Sequence, residues 1–184
     1  MIQPVDLGIS RGYEYEGDSA RTALVLPGRM LAGMPVNAFA IDAVWKQGWR
    51  AILVWDEYFD DPPSGTQWSR DRLDAAAAYA GEVGRRLVIG KSLGTLAAGA
   101  AAERGWPAVW LTPLLNLPEF VEMLERRTAP ALLIGGTNDP AWDGDLARRL
   151  SDDVLELDGA DHGLAKIEHL QAIVDSITAF LHWE

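Results

Sequence analysis

Short runs of apolar residues alternate along the chain with longer stretches in which apolar residues recur at helical spacing. Most of the apolar runs are unbroken, and all are of strand length, a pattern typical of strands that are buried on both faces of a parallel sheet. They lie at residues 23–26, 51–55, 86–89, 108–111, 131–134 and 154–157. The helical stretches lie at about residues 37–47, 69–83, 95–104, 118–127, 145–150 and 165–182. The pattern therefore predicts an α/β protein.

This alternation also predicts how the elements are arranged. Helical connections between consecutive strands form right-handed crossovers, which give a parallel sheet covered by helices on both faces. The segment around Tyr13 and Tyr15 is a candidate for an additional edge strand. The sequence has no linker, no break in composition and no internal repeat. We therefore expect residues 1–184 to form a single domain, a three-layer αβα sandwich with a mostly parallel sheet.

Composition and charge narrow the classes of function. The 184 residues include 27 Asp or Glu and 16 Lys or Arg, which gives a formal net charge of −11. An acidic protein repels phosphate backbones and anionic lipid surfaces, so neither nucleic acid nor a membrane is expected as a partner. The sequence contains no Cys, which excludes a disulfide, a thiolate metal site and a Cys nucleophile. With no signal-peptide pattern and no apolar run of membrane-spanning length, we expect a cytoplasmic location.

The strongest candidate for chemistry is the segment Gly90-Lys91-Ser92-Leu93-Gly94. It follows an apolar run directly and opens a helical stretch, which is the context of the tight turn that exposes a nucleophilic serine. Gly90 and Gly94 lie two residues before and after Ser92, where strand and helix approach too closely for a side chain. This context predicts that Ser92 is a nucleophile; the alternative is an ordinary strand–turn–helix with an incidental serine.

The same segment holds a rival motif, the Gly-Lys-Ser of a phosphate-binding loop. That loop requires another glycine five residues before Gly90, with a flexible stretch between the two. Position 85 is occupied by Arg85, and residues 87–89 are predicted to be strand. The backbone that would surround a phosphate is therefore missing, and we expect no nucleotide here. We interpret Lys91 as the variable residue of the serine turn, near the rim of the sheet.

A serine hydroxyl is a poor nucleophile unless a base removes its proton. Of the three histidines, His169 and His182 fall in the last helical stretch, where a packing or surface role is expected. His162 instead follows the last strand, so it reaches the edge of the sheet at which Ser92 lies. Asp139, just after the fifth apolar run, is the expected carboxylate that orients the imidazole. The order serine, aspartate, histidine along the chain fits this type of sheet.

Other carboxylates near these positions are alternatives for the orienting acid. Asp143, Asp158 and Asp161 lie close to Asp139 or His162 in sequence, and we interpret them as solvated. Asp161 adjoins the histidine in the same short turn, which makes it a poor partner for the ring. Asp56, at the end of the second apolar run, is a less favoured substitute.

An oxyanion hole needs two backbone N–H groups directed at the developing negative charge. One is expected from Leu93, directly after the nucleophile. The other is expected from Arg29, in the loop after the first apolar run, where Gly28 permits an unusual backbone conformation. The alternative reading of that loop is a simple turn.

Taken together, these motifs resemble those of the α/β-hydrolases, especially the small members with little or no lid, such as the dienelactone-hydrolase-like and short serine-esterase groups. The resemblance covers about residues 24–183 and is carried by residues 90–94, 136–139 and 161–163. It implies a minimal α/β-hydrolase fold with reduced early antiparallel strands. It also implies a triad of Ser92, Asp139 and His162, with no cofactor and no metal. Many relatives have His-Gly where this chain has Pro27-Gly28.

The function implied by the resemblance is cleavage of a carboxylic ester or thioester through an acyl-enzyme on Ser92. Acyl transfer and hydrolysis of a C–C bond use the same three groups, and a non-catalytic interaction protein with this fold is a further alternative. The short segment between the fourth strand and Asp139 leaves little room for a lid, so a small or flexible acyl substrate is expected as the partner. Candidates for the mouth of the site are Trp55, Tyr58, Phe59, Trp68 and Trp142. The oligomeric state is left open.

Overall fold

The computed structural model describes residues 1–29, 32–56 and 65–182. Within them, the strands are β1 (Ile2–Asp6), β2 (Arg11–Tyr15), β3 (Asp18–Leu26), β4 (Trp49–Trp55), β5 (Arg85–Lys91), β6 (Ala108–Leu111), β7 (Ala131–Gly136) and β8 (Asp153–Leu157). The helices are α1 (Pro35–Trp45), α2 (Gly65–Ala80), α3 (Ala98–Glu103), α4 (Pro118–Glu125), α5 (Gly144–Leu150) and α6 (Ile167–Phe180). A 3₁₀ turn at Ser92–Ala97 joins β5 to α3.

The strands form one sheet in the order β1-β2-β4-β3-β5-β6-β7-β8. β2 runs antiparallel to both β1 and β4, and the remaining neighbours are parallel. The chain thus begins near one edge, moves to the centre and ends at the opposite edge. The carboxyl ends of β3, β5, β7 and β8 consequently lie at the same edge of the sheet, which is where open α/β sheets bind their ligands.

Two apolar clusters, one on each face of the sheet, form the core. One cluster contains residues of α1 and α6, and the other contains residues of α2, α3, α4 and α5. β3 contributes alternate residues to both, with Ala23 and Val25 on the first face and Leu24 and Leu26 on the second, all fully buried. Burial on both faces explains why the central strands are unbroken apolar runs. The predicted three-layer architecture is therefore confirmed.

The helices begin and end where local chemistry allows it. Pro35 and Pro118 occupy the first turn of α1 and α4, where a missing N–H has no cost. The Asp143 side chain accepts a 2.8 Å hydrogen bond from the backbone N–H of Leu146 and so caps α5. In the described parts of the chain, no helix combines the length and the apolar character needed to cross a membrane.

The antiparallel strands are the part of the sheet that the sequence predicted only in part, because the strand around Tyr13 and Tyr15 is present but does not form the edge. The segment around Tyr13 is the second strand, β2, and an unpredicted strand, β1, forms the edge outside it. Each of the two strands has five residues. β1 is almost wholly exposed and therefore has no apolar run. β2 buries Glu14, whose carboxylate accepts hydrogen bonds from Arg50 and Tyr79, distant partners that a local pattern does not reveal.

Candidate active site

Ser92 lies at the carboxyl end of β5, in a strained backbone conformation. Its φ is 51°, in the left-handed region that non-glycine residues rarely adopt. The turn is tight because β5 and the following 3₁₀ turn nearly touch: a Cβ on Gly90 would lie 2.7 Å from the carbonyl oxygen of Gly94. The Thr95 hydroxyl donates a 2.6 Å hydrogen bond to the carbonyl oxygen of Ser92 and closes the turn. The serine is thereby held above the end of the sheet.

His162, in the loop after β8, contacts both other residues of the predicted triad. Its Nε2 lies 2.7 Å from Oγ of Ser92, and its Nδ1 lies 2.7 Å from Oδ2 of Asp139. The His162 side chain is 39% exposed, whereas that of Asp139 is completely buried. When the ring proton is on Nδ1, the Nδ1–H group donates a hydrogen bond to the carboxylate of Asp139. The unprotonated Nε2 is then free to accept a hydrogen bond from the serine hydroxyl. The three side chains therefore form one hydrogen-bonded chain from the buried acid to the partly exposed serine.

The loop that carries Asp139 is fixed by several contacts of its own. The backbone N–H of Asp139 donates to the carbonyl oxygen of Gly136 at 3.0 Å, and Oδ1 accepts from the N–H of Ala141 at 2.9 Å. Both carboxylate oxygens are therefore used. Trp142, at the end of the loop, packs its ring against Gly135 and donates its indole N–H to Glu156 on β8 at 2.8 Å.

The acid loop and the histidine loop are joined directly. The backbone N–H of Asn138 donates to the carbonyl oxygen of Ala160 at 2.9 Å, and that of Thr137 donates to Leu157 at 3.0 Å. A Cβ on Gly136 would lie 2.2 Å from the carbonyl oxygen of Ala160, so this close approach requires glycine. The two loops thus fix the spacing between the carboxylate and the imidazole.

The alternative acids have other partners. Asp143 caps α5, and Asp161 accepts a 2.9 Å hydrogen bond from the N–H of Gly163 in its own turn. Asp158 accepts from the hydroxyl of Thr137, and Asp56 pairs with Arg72 at 2.8 Å. Of the candidate acids, Asp139 is therefore the one in contact with His162. Among the remaining histidines, His169 is buried on α6 and His182 is exposed just beyond it.

The predicted oxyanion donors lie on two segments that meet at Ser92. Leu93 follows it in the 3₁₀ turn, and its carbonyl oxygen accepts a 2.8 Å hydrogen bond from the Ser69 hydroxyl on α2. Gly28 lies so close to Ser92 that a Cβ on Gly28 would be 3.2 Å from Cβ of Ser92. Arg29 is the next residue along that loop and is exposed. That the backbone N–H groups of Leu93 and Arg29 stabilise an oxyanion stays a prediction.

The aromatic residues expected at the mouth have different environments. Trp55, at the end of β4, is 38% exposed and packs edge-on against Tyr13, with ring centroids 5.2 Å apart. Trp68 is buried on α2, and Trp142 supports the acid loop, so neither is an open surface. Tyr58 and Phe59 lie outside the described residues.

Lys91 is the feature of the site that sequence reasoning missed. It is only 5% exposed, and its ammonium donates to Oγ1 of Thr112 at 3.1 Å and to the carbonyl oxygen of His162 at 2.9 Å. Burial lowers the pKa of Lys91 to about 8, against the opposing effect of the carboxylates of Asp139 and Asp161. The only signal in the sequence is its position next to Ser92, because a lone lysine does not indicate its own burial.

The described residues contain no group of three or more His, Asp or Glu side chains arranged to hold a metal ion. The arrangement that they do contain is suited to nucleophilic chemistry. A hydroxyl, an imidazole and a buried carboxylate are aligned in the way that activates a serine.

No protein-family model matches the chain, and no curated protein matches its sequence. Solved structures match it over nearly its whole length. Est1E from Butyrivibrio proteoclasticus is 13% identical, with a TM-score of 0.78 over 98% of this chain and 97% of that one. Dienelactone hydrolase from Anabaena variabilis is 18% identical, with a TM-score of 0.78 over 100% of this chain and 97% of that one. Monoacylglycerol lipase from Paleococcus ferrophilus is 14% identical, with a TM-score of 0.72 over 97% of this chain and 99% of that one.

At these identities the likeness concerns the fold and not the activity. The neighbours match the chain over almost the whole length of both molecules. The strand order, the serine turn after β5 and these neighbours together identify the chain as a protein with the α/β-hydrolase fold.

Proposed function

We propose that this protein is a serine hydrolase that cleaves a carboxylic ester or thioester through an acyl-enzyme on Ser92. The observation that carries the proposal is the pair of 2.7 Å contacts that join Ser92 to His162 and His162 to Asp139. The strained φ of Ser92 adds support, because strain of this kind persists only where surrounding contacts impose it and is frequent at active sites. A non-catalytic scaffold has no physical need for either feature.

In the acylation step, Oγ of Ser92 attacks the carbonyl carbon of the substrate while Nε2 of His162 takes the hydroxyl proton. The carboxylate of Asp139 stabilises the imidazolium that forms, and the backbone N–H groups of Leu93 and Arg29 stabilise the oxyanion. When the tetrahedral intermediate collapses, the bond to the leaving group breaks. The departing alkoxide or thiolate receives the proton from His162, which leaves an ester between the acyl group and Ser92.

In the deacylation step, water takes the place of the leaving group. Nε2 of His162 accepts a proton from the water as its oxygen attacks the acyl carbon, and the second tetrahedral intermediate expels Oγ of Ser92. The proton returns to the serine, and the products are the free carboxylic acid and the restored enzyme. No cofactor is needed for either step.

The substrate class is argued from the shape of the chain and from its structural neighbours. Residues 112–117 lead from β6 directly into α4, which leaves no room there for a lid domain and favours a small or flexible acyl group. The neighbours are described as an esterase that binds ferulic acid, a thioesterase domain and a monoacylglycerol lipase, all of which act on acyl compounds by name. These names favour ester or thioester cleavage over C–C bond hydrolysis.

A labelling experiment tests the proposal. A fluorophosphonate probe should modify the wild-type protein, and p-nitrophenyl esters of increasing chain length should be hydrolysed, with preference for short acyl chains. Ser92→Ala should abolish labelling and reduce kcat on the order of 10⁶-fold, because the triad acts as a unit. Ser19→Ala, at an exposed position of β3, is the matched control and should behave as wild type.

Labelling and turnover that persist in Ser92→Ala would refute the proposal. Transfer of the acyl group to an added alcohol in preference to water would instead indicate an acyltransferase.

A further inference from the structure

Lys91 connects three segments that surround the site. Its Cδ lies 3.5 Å from the position that a Cβ on Gly28 would occupy. The aliphatic part of the side chain therefore passes beside the loop of Gly28 and Arg29, from which an oxyanion donor is predicted. Its ammonium reaches Oγ1 of Thr112, directly after β6, and the carbonyl oxygen of His162, after β8. One side chain from the serine turn thus contacts the segments that follow three different strands.

Keeping an ammonium group at this position is costly. Lysine is among the residues least often fully buried, because removing its charge from water is unfavourable unless hydrogen bonds and nearby carboxylates compensate. An apolar residue of similar length would fill the same space beside Gly28 and Thr112 without this cost. A buried lysine at the residue before Ser92 therefore calls for a function in the site rather than in the core.

Thr112 provides the fixed end of the interaction. Its φ is 44°, which is rare for any residue other than glycine and especially so for a β-branched one. It is completely buried, and its backbone N–H donates a 2.7 Å hydrogen bond to the carbonyl oxygen of Ile134 on β7. The hydroxyl that accepts from Lys91 is thus attached to the rigid centre of the sheet, so the lysine transmits that rigidity to the histidine loop.

The contact at the other end is with the backbone of the general base itself. Other hydrogen bonds fix the remainder of this loop, at Asp158, Gly159, Ala160, Asp161, Gly163 and Leu164. The bond from Lys91 holds the carbonyl oxygen of His162, whose side chain is 39% exposed and therefore little confined by packing. Movement of this backbone would displace Nε2 from the 2.7 Å contact with Oγ of Ser92.

We propose that Lys91 is a positioning residue for catalysis, which fixes the backbone of His162 so that its imidazole stays aligned with Ser92. The inference rests on the proposed function, since it assigns the lysine a task in the same reaction. Lys91 does not exchange a proton with the substrate; it acts through the histidine. A displacement of the base of about 1 Å is enough to reduce an enzymatic rate on the order of 100-fold.

The test is a double-mutant cycle on one activated ester. Lys91→Met should lower kcat by roughly 10- to 100-fold and leave KM within about twofold of wild type, because the bond to His162 is lost while the substrate contacts are kept. In a His162→Ala background, the same substitution should change the residual kcat by less than about twofold, because there is no base left to position. The matched control is Lys46→Met, at an exposed lysine that pairs with Asp42 on α1 and should leave both constants unchanged.

The outcomes separate this inference from the proposed function. A wild-type kcat in folded Lys91→Met, or an equal loss of activity in the presence and absence of His162, would overturn the positioning role. If Ser92→Ala is inactive in the same assay, the hydrolase proposal stands in either case; full activity of Ser92→Ala would overturn that proposal itself. Near-UV circular dichroism reports folding. Should the methionine variant not fold, Lys91→Leu, which also removes the N–H donors, enters the same cycle with the same two decisive results.

Discussion

The backbone of Gly94 lies so close to the end of β3 that a Cβ on it would be 2.6 Å from the carbonyl oxygen of Leu26. The same Cβ would be 2.7 Å from the carbonyl oxygen of Pro27, so the obstruction is backbone and cannot move aside as a flexible side chain would. The 3₁₀ turn after Ser92 therefore rests directly on the segment that leads into the loop of Gly28 and Arg29, from which the second oxyanion donor is predicted. A glycine at this position is what allows the serine and that loop to approach each other.

Gly94→Ala should consequently damage both stability and activity. We expect a loss of about 1–3 kcal/mol in the free energy of unfolding, as for other overpacked sites. The value of kcat should also fall, because the backbone movement that relieves the clash would separate Ser92 from the loop of Gly28 and Arg29. The matched control is Gly99→Ala in α3, where the nearest atoms belong to the flexible side chain of Met123 and a helical alanine is favourable. Urea unfolding and ester hydrolysis measure the two effects. Equal behaviour of the two variants would contradict the explanation.

Asp139→Asn keeps the shape of the side chain but replaces the carboxylate oxygen that accepts from Nδ1 of His162. We expect kcat to fall by up to about 10⁴-fold, because the amide favours the wrong imidazole tautomer and cannot stabilise the imidazolium. The measurement is kcat on one activated ester, with circular dichroism to verify folding.

Three neighbouring carboxylates serve as controls for that prediction. Asp158→Asn and Asp161→Asn should change kcat far less, since their partners are a threonine hydroxyl and a backbone N–H. Asp143→Asn should leave kcat nearly unchanged as well, because this side chain caps α5 and asparagine caps about as well as aspartate. If one of these three variants lost most of its kcat while Asp139→Asn stayed active, the orienting acid would have been assigned wrongly.

The central strands could be predicted from the sequence because burial on both faces imposes a nearly unbroken apolar run on each of them. The edge strand β8 is only partly buried and includes Glu156, but Val154, Leu155 and Leu157 still mark it. The positions of Ser92, Asp139 and His162 followed from the same reasoning: all three lie in the segments that follow predicted parallel strands, and the carboxyl ends of such strands share one edge of the sheet. Their separation of many residues along the chain is therefore no obstacle to the prediction.

The parts that could not be predicted depend on partners distant in sequence. Glu14 is a charged residue in a strand, and nothing near it in the sequence indicates that Arg50 and Tyr79 will cover it. Lys91 is similar, because its burial depends on Thr112 and on the loop of His162. A local pattern shows which positions must be apolar, but not which polar groups find partners in the interior.

The pH dependence of kcat/KM should reveal the base. Imidazole is the side chain that ordinarily changes charge between about pH 5 and pH 8, and a protonated ring cannot accept the serine proton. We therefore expect kcat/KM to fall as the solution is acidified below neutrality, while the protein stays folded. Initial rates on a substrate whose chemical step limits turnover are the measurement. A profile that stays flat down to about pH 5 would argue against His162 as the base.

The buried ammonium of Lys91 should also make stability depend on pH in a defined direction. Burial lowers the pKa of Lys91 from its ordinary value to about 8 in the folded protein. Between these two values the unfolded chain binds the proton more fully than the folded one, so the free energy of unfolding rises with pH across that window. Below about pH 8 both states are protonated, and the full cost of burying the charge is present.

Comparison with Lys91→Met isolates this effect, because every other titrating group is common to the two proteins. Between about pH 7 and pH 10 the free energy of unfolding of the wild type should increase relative to the variant by about 2 kcal/mol, as expected for a pKa lowered by this amount. Urea unfolding at the two pH values gives the difference directly. Lys46→Met should show no such trend, since that lysine is 68% exposed. The opposite result would be a wild type that loses stability relative to Lys91→Met as the pH rises. That result would mean that the folded protein stabilises the ammonium, because the carboxylates of Asp139 and Asp161 outweigh the cost of its burial.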